Sequence, residues 1–154
     1  MIFHCEQDTK KIAAAFAGTL RGGELVFLYG DLGSGKTTFV RRVMEAFGFQ
    51  EPVRSPTFTL VNRYSVASGA IRQVVHADLY RLNSPQDLLA LALEEDVVRK
   101  DTVLFVEWPQ HAGGLLAPAT HEITFAGDGI SRRITILPQP LAEPHQRSSD
   151  PLAP

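Results

Sequence analysis

The stretch GDLGSGKT, residues 30–37, fits the pattern G-x-x-x-x-G-K-[ST], in which a glycine-rich loop leads from a strand into a helix. Residues 24–29 form an apolar run before it, which is typical of a buried parallel strand. Residues 37–47 have the pattern of a helix, which Gly48 is expected to end. This order predicts an α/β fold of the P-loop NTPase-like type, a three-layer sandwich around a mainly parallel sheet.

The residue types in this loop suit the binding of a nucleotide phosphate. Glycines allow the backbone to curl so that successive N–H groups face phosphate oxygens, and the start of the next helix adds positive charge. Lys36 is expected to reach the β- and γ-phosphates, and the Thr37 hydroxyl is placed to bind Mg²⁺. The alternative is a glycine-rich turn that carries a lysine by chance, and the flanking strand and helix count against it.

Two carboxylates follow apolar strands elsewhere in the chain. Glu107 comes directly after the run VLFV, and Asp78 closes the strand that contains residues 70–76. Ligands collect at the carboxyl ends of strands in an open parallel sheet, so Glu107 is expected to lie near Thr37. It would hold Mg²⁺ through water or orient the attacking water. Asp78 is a second candidate for metal or water, and one of the two acids would act from a second layer.

Three further polar residues have both a functional and a structural interpretation. Thr57, in the SPTF segment after the P-loop helix, occupies the place of a switch-loop threonine that senses the γ-phosphate, or of a turn leading into a strand. His76 lies in the segment HADLYR and is more readily explained as a structural residue. Arg81 in the same segment would form a salt bridge or contact phosphate.

Other segments extend the α/β order, with two antiparallel pairs of strands at the middle and at the end of the chain. The predicted elements are a helix over 9–20 capped by Asp8 or Thr9, a hairpin over 58–66 and 70–76, helices over 84–93 and 94–100, and strands over 102–106, 121–125 and 132–137. Residues 127–129 would connect the last two strands. One domain is predicted over 1–137, and the proline-rich residues 138–154 are expected to be disordered.

The composition restricts the class of protein further. Of 154 residues 44% are hydrophobic and 21% charged, with a net charge of −2, so a protein whose main role is to wrap nucleic acid is disfavoured. Cys5 is the single cysteine, which excludes an intrachain disulfide and a cysteine-based four-ligand zinc site. The sequence shows no signal peptide and no membrane-spanning run, which predicts a cytoplasmic protein.

Four motifs in this order, GDLGSGKTTFVR, SPTFTLVNRY, HADLYRL and VEWPQ, resemble the TsaE (YjeE) family over about residues 9–137. The resemblance implies an ATP-binding protein that hydrolyses ATP slowly alone and requires Mg²⁺. It implies a role in threonylcarbamoyl modification of adenosine 37 in tRNAs reading codons that begin with A. The expected partners are TsaB and TsaD, of which TsaD performs the transfer, and tRNA is contacted indirectly or within the complex.

The resemblance also assigns roles to individual residues. The phosphate and nucleotide contacts would come from Thr9, Gly33, Ser34, Gly35, Lys36, Thr37, Thr38, Trp108 and one of Arg132 and Arg133, with Arg133 taken as the candidate. The catalytic group would be Glu107, Asp78, Lys36 and Thr57, and the metal ligands Thr37 and Glu107. One departure is Ala92, which stands where the family usually has glycine, and this concerns the local helix geometry.

Three alternatives stay open from the residues alone. A small-molecule P-loop kinase would need an acceptor pocket and a lid, for which the hairpin after the first P-loop helix leaves little sequence. A nucleotide-gated assembly module would use ATP binding without hydrolysis. Direct tRNA contact through scattered arginines is the third, although acidic residues balance these. The guanine-reading N-K-x-D motif is absent, which favours ATP.

Overall fold

A computed structural model describes residues 2–3, 6–127 and 132–138. Strands and helices alternate along most of the chain. In order they are β1 (Ile2–Phe3), α1 (Glu6–Ala17), β2 (Leu25–Tyr29), α2 (Lys36–Ala46), β3 (Val61–Ser68), β4 (Ile71–Asp78), a 3₁₀ helix (Pro85–Leu91), α3 (Leu93–Val97), β5 (Thr102–Glu107), a second 3₁₀ helix (Pro109–Ala112), β6 (His121–Gly127) and β7 (Arg132–Pro138).

The strands form one sheet in the order β1-β7-β6-β2-β5-β4-β3. Its centre is parallel, because β2 pairs in parallel with both β5 and β6, and β5 pairs in parallel with β4. The β3–β4 and β6–β7 pairs are antiparallel, and β1 adds an antiparallel strand beside β7. The predicted mainly parallel sheet, with an antiparallel hairpin and late antiparallel strands, is therefore confirmed.

Two apolar clusters cover the two faces of the sheet and make the fold a three-layer sandwich. On one face the long helices α1 and α2 pack through residues such as Phe16 and Phe39 against Phe105. On the other face the short helical segments pack through residues such as Leu88 against Leu104. All six residues of β5 are buried, as expected for a central strand covered on both faces.

The bounds of several predicted elements differ from the structure. Helix α1 begins at Glu6 and ends at Ala17, so both predicted caps, Asp8 and Thr9, lie inside it and neither caps it. Strand β3 begins at Val61 and not at residue 58, because Leu60 has a φ of 61° and its N–H donates to the Pro56 carbonyl at 2.6 Å. The residues before β3 therefore form a turn.

The predicted helix over 84–93 is a 3₁₀ helix that ends two residues earlier. Ser84 forms a capping box with Asp87: each side chain accepts a hydrogen bond from the other residue's backbone N–H. Ala92 then adopts a left-handed conformation with a φ of 51°, which separates this segment from α3. Helix α3 spans Leu93–Val97 and is therefore shorter than the helix predicted over 94–100. This geometry explains why glycine is expected at position 92.

Within the described residues, no helix is both long and apolar enough to cross a membrane. Two predictions fall outside those residues, namely the disordered tail over 139–154 and the turn at residues 128 and 129. The domain boundary near residue 137 likewise stays a prediction.

Candidate nucleotide-binding site

The P-loop connects the carboxyl end of β2 to the first turn of α2. Gly35 precedes the helix with a φ of 106°, a conformation that a side chain would strain, and it carries no side-chain cap. The backbone N–H groups of the first helical turn therefore have no partner within the helix and are available to an anion. The structure places Lys36, Thr37 and Thr38 in this first turn, as the motif predicts.

Lys36 is folded back into the loop. Its Nζ donates to the carbonyl oxygens of Gly30 and Asp31 at 2.7 and 2.9 Å, and it lies 4.5 Å from the centroid of the Trp108 ring. The residue is only 4% exposed. Burial lowers the pKa of Lys36, and the nearby carboxylates, of which Glu107 has the strongest effect, oppose that change. The ammonium is thus poorly solvated and placed for an anionic ligand.

Glu107 ends β5 beside the P-loop. Its Oε1 accepts a hydrogen bond from the Thr37 hydroxyl at 2.7 Å and lies 2.8 Å from His76 Nε2. The strand registers explain the meeting of these side chains, since β2 and β4 flank β5 and Asp78 pairs directly with Glu107. The structure therefore brings Glu107 and Thr37 together as the sequence predicts.

Glu107 is nearly inaccessible to solvent, with 3% of its surface exposed. Burial by itself raises the pKa of Glu107, but the hydrogen bonds of His76 and Thr37 and the charge of Lys36 act in the opposite direction. The net effect is a pKa below the usual value. Glu107 is consequently ionised at neutral pH and accepts hydrogen bonds; it is not a proton donor.

Asp78 lies at the end of β4 and holds the segment that contains Thr57. Its Oδ2 accepts a hydrogen bond from the Thr57 hydroxyl at 3.0 Å, and its Oδ1 accepts one from the Tyr80 backbone N–H at 3.0 Å. The Thr57 hydroxyl is also 2.7 Å from Ser55 Oγ. Thr57 is therefore a turn residue bound to an acid at the sheet edge, which leaves its predicted sensing role untested.

The other predicted nucleotide contacts meet on one side of the P-loop. A small cavity there is lined by Thr9, Ser34, Gly35, Thr38, Phe125, Arg133 and Ile134. A cleft of about 250 Å³ is lined by Asp31, Leu32, Gly33, Ser34, Phe125, Ala126 and Gly127. Ser34 Oγ is buried and has no hydrogen-bond partner among the described residues. A larger cleft of about 470 Å³, lined by residues 41, 45 and 49–53, contains none of the predicted site residues.

Comparison with known proteins identifies the family. The sequence model described as "Threonylcarbamoyl adenosine biosynthesis protein TsaE" matches residues 3–134, which is most of the chain. The chain belongs to the TsaE family. This membership agrees with the resemblance inferred from the four sequence motifs.

Individual TsaE proteins match at moderate identity over most of their length. The Aquifex aeolicus tRNA threonylcarbamoyladenosine biosynthesis protein TsaE is 40% identical over 70% of this chain and 85% of its own. The TsaE of Rickettsia conorii is 34% identical over 94% of this chain and 80% of its own. The crystal structure of Bacillus subtilis YdiB superposes with a TM-score of 0.69 at 30% identity, over 88% of this chain and 82% of that one.

Sequence reasoning missed an aromatic cluster next to the P-loop of this TsaE family member. The rings of Tyr80 and Trp108 lie 5.0 Å apart, and His111 lies 5.8 Å from Trp108. Trp108 has a φ of 58°, which turns the chain away from β5 directly after Glu107. The neighbouring motifs HADLYR and VEWPQ contain these residues, but spacing alone does not show that the rings meet.

Arg81 forms no salt bridge among the described residues, and its contact with phosphate stays a prediction. Its guanidinium lies 4.7 Å from the centroid of the Phe58 ring, a cation–π contact at the surface. Phe58 is 83% exposed despite this contact. The segments around Thr57 and Asp78 are thus joined by two neighbouring contacts, one polar and one aromatic.

Proposed function

We propose that this protein is a Mg²⁺-dependent ATPase that supports threonylcarbamoyl modification of adenosine 37 in tRNAs reading codons that begin with A, together with TsaB and TsaD. Membership of the TsaE family supports the pathway. The observation that supports ATP hydrolysis is the hydrogen bond of 2.7 Å from the Thr37 hydroxyl to Glu107. Thr37 directly follows Lys36, the lysine of the P-loop. A cytoplasmic location belongs to the same proposal.

The oxygen atoms at the site fit a nucleoside triphosphate with magnesium. Mg²⁺ prefers hard oxygen ligands and is usually held by one or two carboxylates together with waters and substrate phosphates. Thr37 and Glu107 supply such oxygens, and Mg²⁺ when bound would neutralise charge on the phosphate oxygens. The described residues contain no group of three or more histidine, cysteine or acidic side chains arranged to hold a metal. A site in which the nucleotide phosphates supply some of the Mg²⁺ ligands does not need such a group.

The residues of the chain would then divide the work of hydrolysis. The N–H groups of the P-loop and the Lys36 ammonium bind and orient the phosphates, while Gly33, Ser34 and Gly35 shape the loop. Glu107, held ionised, accepts hydrogen bonds from water, and Asp78 is the second carboxylate at this edge. Water attacks the γ-phosphorus, the bond to the bridging oxygen breaks, and ADP and phosphate leave.

A partner is expected to complete this site. Isolated P-loop proteins that lack a supplied arginine are slower than their stimulated state by about 10³–10⁵-fold. Arg81, the arginine next to Asp78 and Tyr80, lies over the Phe58 ring. Docking of the TsaB–TsaD pair would therefore raise a slow basal rate, either by supplying a group or by moving this segment.

The direct test measures Mg²⁺-dependent ATP hydrolysis with and without purified TsaB and TsaD from the same organism. We expect slow release of free phosphate that the pair accelerates and that needs no added acceptor, which distinguishes an ATPase from a kinase. Glu107→Ala should abolish hydrolysis but retain nucleotide binding. A rate that the pair does not change, or normal hydrolysis by Glu107→Ala, would contradict the proposal.

A second candidate is a nucleotide-gated assembly module, in which binding without hydrolysis drives association. The contact of Thr57 with Asp78 favours it, because a ligand that draws Thr57 away would also move the neighbouring exposed Phe58. The Glu107→Ala variant separates the two candidates. If it still binds TsaB–TsaD in response to ATP and still supports tRNA modification, then gating is sufficient.

A further inference from the structure

His76 is a buried polar residue whose side chain forms, among the described residues, one hydrogen bond, which goes to the candidate site. The residue is 0% exposed, and its Nε2 lies 2.8 Å from Glu107 Oε1. It shares a face of β4 with Val74 and Asp78, because side chains alternate along a strand. Val74 packs in the apolar core beneath α2, so an apolar side chain at position 76 would have been accommodated by the same layer.

The hydrogen-bonding pattern fixes which nitrogen of His76 carries the proton. Glu107 Oε1 belongs to an ionised carboxylate and only accepts, so His76 Nε2 must donate. Nδ1 of His76 is buried without a partner among the described residues. The contact with Glu107 therefore requires a proton on Nε2 of His76.

The contacts of Glu107 are all on one oxygen. Oε1 receives both the Thr37 hydroxyl and His76 Nε2, whereas the described chain offers no hydrogen-bond donor to Oε2. Two donors on one oxygen set the rotation of the carboxylate and leave the other oxygen for water or a cation. Without the His76 contact, Thr37 alone would hold a carboxylate that is nearly inaccessible to solvent.

We propose that His76 is a positioning residue, which donates from Nε2 to Glu107 Oε1 and so keeps Oε2 of Glu107 directed to the ligand of the P-loop. The proposal rests on the proposed function, in which Glu107 acts toward Mg²⁺ and nucleotide. It goes beyond that function because a residue that never touches the ligand determines the geometry of one that does. Partners of this kind typically change metal affinity or activity by 10–100-fold when they are removed.

The test compares two substitutions and a matched control in the full chain. His76→Leu removes the donor but retains bulk, and His76→Gln replaces it with an amide N–H of similar reach. Val74→Ala removes buried methyl groups from the same face of β4 without touching Glu107. Nucleotide affinity is measured by fluorescence of Trp108, the single tryptophan, which lies 4.5 Å from Lys36 Nζ. Titrations use ADP and ATP in EDTA and at increasing Mg²⁺ concentrations.

We expect His76→Leu to require at least about 10-fold more Mg²⁺ for the same nucleotide affinity, with the affinity in EDTA nearly unchanged. His76→Gln should recover most of the loss, and Val74→Ala should lower stability but keep the wild-type Mg²⁺ requirement. A wild-type requirement in His76→Leu overturns the proposal, and so does a His76→Gln variant as impaired as His76→Leu. If His76→Leu does not fold, the Gln variant and the spectra described next still decide.

A second readout does not depend on ATP. Imidazole ¹⁵N spectra of the protein without nucleotide or Mg²⁺ should contain one Nε2–H histidine that disappears in His76→Gln and shifts in Glu107→Gln. A His76 ring that carries its proton on Nδ1 and none on Nε2 overturns the proposal. If the nucleotide affinity of the wild-type protein does not depend on Mg²⁺, the proposed function is contradicted. These spectra would still test the hydrogen bond between His76 and Glu107.

Discussion

Lys36 shows at the residue scale how the site is prepared for an anion. A buried ammonium needs compensation, and this one receives it from two loop carbonyls and the face of the Trp108 ring. These partners are neutral, so a phosphate oxygen offers the charge-assisted hydrogen bond that they do not. The hydrogen bonds of Lys36 to the two carbonyl oxygens are therefore weaker than one that it would form with a phosphate oxygen.

Lys36→Ala is accordingly expected to weaken nucleotide binding itself. One hydrogen bond to a charged group contributes about 1.5–3 kcal/mol, so affinity for ADP and ATP should fall by roughly 10- to 100-fold. The measurement is isothermal titration calorimetry, with the exposed Lys100→Ala as a control for loss of a positive charge. Equal affinities for wild type and Lys36→Ala would show that the lysine does not contact phosphate.

Glu107 provides a prediction for pH. Its pKa is lowered in the folded protein, chiefly by His76 and Thr37 acting against burial, so folding favours the carboxylate. A lowered pKa stabilises the fold at pH values above the unfolded pKa, about 4.3, and this contribution disappears as pH falls through the lower folded pKa. The stability of wild type relative to Glu107→Gln should therefore decline below about pH 4.3.

Urea unfolding in EDTA at pH 7, 5, 4 and 3 measures this difference. Charged hydrogen bonds exceed neutral ones by about 1 kcal/mol each, which sets the expected scale of the change before burial is subtracted. Two stability curves that stay parallel from pH 7 to pH 3 would show that Glu107 has no lowered pKa.

At the scale of elements, Ala92 is a site of local strain. It connects the first 3₁₀ helix to α3 with a φ of 51°, a conformation that costs a non-glycine residue about 1 kcal/mol. Ala92→Gly is expected to raise the free energy of unfolding by about 1 kcal/mol, which is roughly 2–4 °C in Tm. Ala90→Gly, at an exposed position inside the 3₁₀ helix, should instead lower it by about 0.5–1 kcal/mol.

Calorimetry of the two variants at one pH makes the comparison. Both lose the same methyl group and gain the same backbone freedom in the unfolded chain, so the difference between them isolates the left-handed conformation. A loss of stability in both variants would mean that residue 92 does not adopt this conformation in solution.

The elements differ in how well local sequence predicts them. The strand and helix that flank the P-loop are predicted because apolar runs and glycines mark both ends. The predicted start of β3 is wrong by three residues. The residue types from Phe58 onward favour a strand, and they do not indicate the turn that the positive φ of Leu60 forms. Strand β1 was not predicted, because its two residues pair only with β7, far along the chain.

At the scale of the molecule, the topology gathers the chemistry at one edge of the sheet. The carboxyl ends of β2, β4 and β5 lie side by side, which predicts that Thr37, Asp78 and Glu107 are neighbours. The contact of His76 with Glu107 cannot be predicted from the sequence pattern, because it depends on the exact register of β4 against β5. A shift of one residue in the register of β4 would turn His76 to the opposite face.

The same edge carries exposed apolar side chains, and this leads to a prediction about partners. Phe58 is 83% exposed and sits on the segment that Thr57 joins to Asp78, which is where a docking protein would sense the bound nucleotide. Phe58→Ser should leave nucleotide affinity and stability nearly unchanged. It should raise the concentration of TsaB–TsaD that gives half-maximal stimulation of ATP hydrolysis by about 10-fold, as expected for an aromatic interface anchor.

The control is Val98→Ser. Val98 is 78% exposed like Phe58, but it follows α3 and lies before β5 begins, at the opposite edge of the sheet. Equal stimulation of both variants would place the partner elsewhere, whereas a loss confined to Phe58→Ser would connect the loop of Thr57 to partner binding.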